Sequence, residues 1–120
     1  MIKMLKFAGI PVRDQDAALE FYTEKLGFRI VTDKPMGGSQ RWIELKPPQG
    51  ETGVALFTPE GHEKRIGEFQ SLSFKCDDVE KTYAELTSRG VEFEKPPTRQ
   101  AWGSFAIFKD PDGNRFVLGS

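Results

Sequence analysis

Two stretches decide the fold. The first is Asp14-Gln15-Asp16-Ala17-Ala18-Leu19-Glu20-Phe21-Tyr22-Thr23-Glu24-Lys25-Leu26-Gly27. The second is Asp78-Val79-Glu80-Lys81-Thr82-Tyr83-Ala84-Glu85-Leu86-Thr87-Ser88-Arg89-Gly90. Each opens on an aspartate suited to cap a helix, because its carboxylate can accept from the first free backbone N–H groups. Each closes on a glycine, the residue that best takes the left-handed turn after a helix. Between the caps, apolar residues recur at three- and four-residue steps: Ala18, Leu19, Tyr22 and Leu26, then Val79, Tyr83 and Leu86. The spacing predicts helices over about 15–26 and 79–88. In the second, Asp77 and Asp78 both offer caps, and Glu80 is placed to complete a capping box from Asp77. The aspartates Asp14 and Asp78 lie 64 residues apart and the glycines Gly27 and Gly90 lie 63 apart, so one unit occurs twice.

Working outward, both copies carry the same order of strands. Leu5 to Val12 and Ser71 to Cys76 read as strands before the helices. Phe28 to Thr32 and Val91 to Glu94 read as strands after them. Gln40 to Lys46 and Gly53 to Thr58 complete the first copy, and Trp102 to Lys109 and Arg115 to Gly119 complete the second. Gly37-Gly38 and Pro47-Pro48-Gln49-Gly50 break the chain between strands. Asp110-Pro111-Asp112-Gly113-Asn114 is a hairpin turn, with proline fixing one φ and glycine free to take a positive one. The pattern is α+β, βαβββ twice: a single domain of two modules, about 1–58 and 69–120, joined by a polar linker at 59–68.

Bulk composition narrows the function. The chain has 120 residues, enough for one domain with a sizeable core. Lys and Arg total 17 against 18 Asp and Glu, a net charge of −1, so no basic field exists to hold nucleic acid. No apolar run is long enough to span a membrane. The single cysteine, Cys76, cannot form an internal disulfide. That and the lack of a signal-like run in the first residues favour a cytoplasmic protein. No nucleophile triad, P-loop or dinucleotide fingerprint occurs.

The segments Gly9-Ile10-Pro11-Val12-Arg13-Asp14, Ala18-Leu19-Glu20-Phe21-Tyr22, Leu26-Gly27-Phe28, Trp102-Gly103 and Asp110-Pro111-Asp112-Gly113-Asn114-Arg115 resemble the vicinal oxygen chelate superfamily. That group includes glyoxalase I, extradiol dioxygenases, fosfomycin-resistance enzymes and bleomycin-resistance proteins. The resemblance covers nearly the whole chain, in order. It implies cupped mixed sheets with helices on their outer faces. In metal-binding members four His, Gln or Glu side chains project into the cup and hold a divalent ion that substrate oxygens chelate. Here those four positions fall on Phe7, Ala55, Ser71 and Val117. A slip of one residue recovers only Gln70 and turns it to the other sheet face. The one histidine, His62, sits in the polar linker and reads as a solvated loop residue. No metal and no other cofactor are therefore expected.

Alternation along the strands then lists what lines the cup: Phe7, Trp42, Phe57, Trp102, Phe108 and Val117, with Glu44, Ser71, Ser73 and Arg115 as polar points. This list assumes that a four-residue turn sets Phe108 opposite Arg115 and Ala106 opposite Val117. Leu72, Phe74 and Cys76 fall on the helix side, which makes Cys76 an inert core thiol. An aromatic wall with few polar groups suits a small-molecule site. The competing reading is that these rings fill a collapsed cup. Glu44 is a weak candidate for a general base, a candidate for binding a cation, and otherwise a partner for Arg41, Arg115 or Lys75. The resemblance is closest to the metal-free bleomycin-resistance type: a homodimer that holds an aromatic or cationic compound. A lyase or dioxygenase, metal-dependent or using Glu44, is the alternative, and a structural or regulatory member the third.

Overall fold

A computed structural model describes residues 1–120. The chain divides into two compact units, Met1–Glu63 and Lys64–Ser120. The first contains β1 (Phe7–Pro11), α1 (Gln15–Glu20, continued by a π-helical turn over Phe21–Lys25), β2 (Arg29–Pro35), β3 (Arg41–Lys46) and β4 (Gly53–Phe57). A short 3₁₀ turn at Glu63–Arg65 follows. The second contains β5 (Phe69–Lys75), α2 (Val79–Ser88), β6 (Glu92–Gln100), β7 (Gly103–Lys109) and β8 (Arg115–Gly119). Each unit is a four-stranded mixed sheet, ordered β1-β4-β3-β2 and β5-β8-β7-β6. In both, the first strand pairs parallel with the last and the other pairs are antiparallel. No helix is long and apolar enough to cross a membrane.

Each sheet commits one face to its helix. In the first unit Ile10, Ile43, Leu45, Val54 and Leu56 are buried with Ala18, Phe21 and Tyr22 of the helix. In the second, Ala106, Phe108, Phe116 and Leu118 are buried with Val79 and Leu86. Phe74 adds ring contacts at 5.9 Å to Phe108 and 5.6 Å to Phe116. Fully burying one such side chain contributes about 1.5–3 kcal/mol, so this face dominates each unit's stability.

The caps differ in detail from the sequence reading. Asp14 caps α1, accepting from the N–H groups of Asp16 (2.9 Å) and Ala17 (3.2 Å). Asp78, not Asp77, caps α2 and accepts from Lys81 N–H at 3.1 Å, so the capping box from Asp77 to Glu80 does not form. Gly27 and Gly90 take φ of +77° and +88°. The first helix is not α-helical to Leu26. Its last turn widens, and Leu26 N–H reaches Phe21 C=O, five residues back, at 3.2 Å. Strand β6 runs six residues past Glu94, through Pro96-Pro97, because it is an edge strand whose outer N–H groups need no partner.

Buried amide side chains tie loops to sheets. Asn114, fully buried, accepts from Gly67 N–H (2.8 Å) and Gln70 Nε2 (2.9 Å), and its Nδ2 donates to Asp110 Oδ2 (2.9 Å). Gln15 does the same in the first unit: Nε2 donates to Arg41 C=O (2.8 Å) and Leu56 C=O (3.0 Å), and Oε1 accepts from Arg41 N–H (3.0 Å). Removing one partner strands the others without water, which costs about 1–3 kcal/mol per group. Asn114→Ala is expected to lower unfolding free energy in urea titration by about 2–4 kcal/mol. Arg89→Ala, which removes the exposed Arg89–Glu85 pair, is expected to lower it by about 0.5 kcal/mol or less.

Candidate functional site

The helix-covered face fixes what the opposite face displays, because side chains alternate. In the first unit Phe7 pairs with Gly53 and Gly9 with Ala55, while Glu44 stands opposite Ala55 on β3. Trp42, Glu44, Ala55 and Phe7 therefore share the open face. Phe7 meets Trp42 edge to face, with ring centroids 5.2 Å apart. Phe57 lies over Gly9, where an added Cβ would come within 2.9 Å of a ring carbon. Ala55 lies buried beneath this wall, whereas Phe7, Trp42, Glu44 and Phe57 stay half-buried.

Glu44 makes no side-chain hydrogen bond or ion pair. Arg41 is engaged elsewhere. Its guanidinium forks onto Asp33 (Nε to Oδ1 3.1 Å, Nη2 to Oδ2 3.2 Å) and also pairs with Asp16. The hydrogen bonds it donates to Asp33, then to Asp16, raise its pKa above the ordinary arginine value. Arg115 is held by Glu94 (3.4 Å) and Glu68 (3.9 Å).

The open face of the second unit departs from the sequence reading in two places. The final hairpin pairs Phe108 with Phe116 and Ile107 with Val117, one residue away from the assumed register. Asp110 N–H bonds Asn114 C=O at 3.0 Å and closes the turn on three residues, with Gly113 at φ +83°. Phe108 consequently lies in the helix-side core, 2% exposed, with Ser104 and Ala106 on the same side. Phe105, Ile107 and Lys109 take the open face beside Arg115 and Val117. Trp102 is outside the strand and largely exposed, and it stacks on Phe105 at 5.8 Å.

The second departure is in β5. Phe69 pairs with Arg115 and Ser73 with Val117, so four steps on β5 match two on β8. The surplus is a bulge at 70–72, with Ser71 at φ +56°. Ser73 faces the open side, but Ser71 leaves the ladder and Phe69 takes its place beside Arg115. Phe69, Glu94, Lys95, Ile107 and Arg115 line a shallow groove of about 450 Å³. Lys95 Nζ sits 5.2 Å from the Phe105 ring centre. Sequence reasoning missed Phe69, Phe105, Ile107, Glu94 and Lys95. The buried pair Asp110 and Asn114, which sets the hairpin register, was the signal for two of them; nothing in the sequence marks the bulge. Cys76 is free and half-buried at the end of β5 rather than sealed in the core. His62 is exposed.

Residues 4–118 match the family model described as Glyoxalase/Bleomycin resistance protein/Dioxygenase superfamily. The chain belongs to this superfamily. Among curated relatives, YetH of Bacillus subtilis (strain 168) is 40% identical over 119 residues, 98% of each chain. A superfamily member from Sphaerobacter thermophilus has a solved structure with TM-score 0.89 and 38% identity, covering 98% of this chain and 97% of that one. TnmS3, an antibiotic binding protein from a Streptomyces species, aligns at TM-score 0.84 and 33% identity, covering 98% and 95%.

The resemblance assigns metal-ligand positions to Phe7 and Ala55 in the first unit and to Ser71 and Val117 in the second. That set offers one hydroxyl and no imidazole, thiolate or carboxylate. No three His, Cys, Asp or Glu side chains gather anywhere in the chain. The donor set does not fit a resident divalent ion.

Two glycines shape the first face differently. A Cβ at Gly53 would come 2.6 Å from the Leu45 carbonyl oxygen, a backbone atom, whereas at Gly9 its nearest neighbour would be the Phe57 ring, a side chain. Gly53→Ala is expected to cost about 2–3 kcal/mol in chemical denaturation and Gly9→Ala about 1 kcal/mol, the latter with a shifted Phe57 ring. Equal losses would mean that Phe57 cannot move.

Proposed function

We propose that the protein is a metal-free small-molecule-binding member of the superfamily, which holds an aromatic or cationic compound against its open sheet faces. One observation carries the reading. Where metal-dependent members need ligands, this chain has an aromatic wall of Phe7, Trp42 and Phe57 over buried Ala55. Exposed aromatic faces bind planar or cationic groups well. The likeness to TnmS3, an antibiotic binding protein, supports the same reading. A homodimer belongs to the proposal. It is supported by Ile30 and Val31, about half exposed on edge strand β2, and sedimentation velocity would detect it as a species of twice the chain mass.

The test is titration of an aromatic drug and metabolite panel, followed by the fluorescence of Trp42 and Trp102, beside elemental analysis of untagged protein. Saturable quenching by some members of the panel, with substoichiometric divalent metal, is expected. Silence across the panel would overturn the binding reading. A stoichiometric divalent ion would overturn its metal-free character and favour a lyase or dioxygenase.

A further inference from the structure

Duplication allows the two open faces to be compared position by position. Ala55 and Val117 correspond, so the residues opposite them, Glu44 and Ile107, correspond as well. Trp42 matches Phe105 in the same way, and Gly53 matches Arg115. Trp42 and Phe105 keep an aromatic ring and Lys46 and Lys109 keep an ammonium, whereas Glu44 and Arg115 have no charged counterpart in the other unit. Among the cations of the second face, Lys95 sits over the Phe105 ring and Arg115 is already held by two carboxylates. The first face carries an anion, Glu44, and nothing holds it. Lys34 and Lys46 stand on the same face, yet neither forms an ion pair with Glu44; the Lys46 stem runs across Gly53 instead. No buried side-chain oxygen lacks a partner, so the Glu44 carboxylate keeps contact with solvent and an incoming ligand can reach it.

We infer that the first face recognises a cationic nitrogen, a protonated amine or quaternary ammonium, through Glu44 set beside Trp42. This rests on the small-molecule-binding reading and adds the ligand's charge to it. A ligand that covers this wall strips water from a half-buried carboxylate. A neutral ligand returns nothing for that loss, and an anion adds repulsion. A cation offsets it and gains attraction from the indole face.

Three probes of one shape test the inference by calorimetric titration at neutral pH: 2-naphthylmethylammonium, 2-naphthylmethanol and 2-naphthoate. The cation is expected to bind about tenfold or more tighter than the alcohol, and the carboxylate weakest. Glu44→Gln is expected to reduce the cation's advantage to about twofold or less while the alcohol binds as tightly as before or tighter, because the carboxylate desolvation cost is gone; retained alcohol binding also confirms that the variant folds. Equal binding of cation and alcohol, or a preference that survives Glu44→Gln, overturns the inference while leaving the binding reading intact. Failure of all three probes to bind overturns both.

Discussion

The packing of one sheet face against its helix is the constraint on which everything else depends. Ile43, Leu45 and Leu56 close onto the first helix, and Ala106, Phe108 and Phe116 lie on the buried face of the second sheet. A one-residue slip of any of these strands would bring its large apolar side chains into water, at about 1.5–3 kcal/mol each. No polar contact at the surface competes with that. The open faces therefore show whatever the opposite parity dictates, and their chemistry can change without threatening the fold.

The duplicated scaffold has used that freedom unevenly. The first unit keeps a regular ladder through β1, β4 and β3, confines its register shift to edge strand β2 at Ile30/Thr32, and builds a wall of rings beside Gly9 and Ala55. The second inserts a bulge at 70–72, which trades Ser71 for Phe69 and opens a groove beside Arg115. The polar clasps follow the same logic. Gln15 and Asn114 occupy different places in their units, yet both satisfy backbone groups that a close-packed sheet end leaves away from water. Superfamily membership supplies the architecture, while these local departures give each face its own side chains.

Much of this was legible in the sequence, for physical reasons. Helix α2 and strand β8 have the predicted bounds, because Asp78, Gly90 and Gly113 impose local conformations that need no tertiary support. The first face was legible because β1, β3 and β4 pair without interruption. The second was not. Hairpin register depends on whether Asp110 and Asn114 pair across the turn, and a serine at positive φ leaves no trace in composition. Phe108 was consequently placed on the open face, when its ring belongs with Phe74 and Phe116. The widened turn at Phe21–Lys25 and the passage of β6 through two prolines likewise depend on packing and edge position.

The most direct measurement is a crystal structure of the protein with bound 2-naphthylmethylammonium. If the first face is a ligand floor, the naphthalene ring lies against Trp42, Phe7 and Phe57, with its nitrogen within hydrogen-bond reach of Glu44. A ring bound elsewhere with this wall left bare, or an anomalous metal peak beside Phe7 and Ala55, would contradict it.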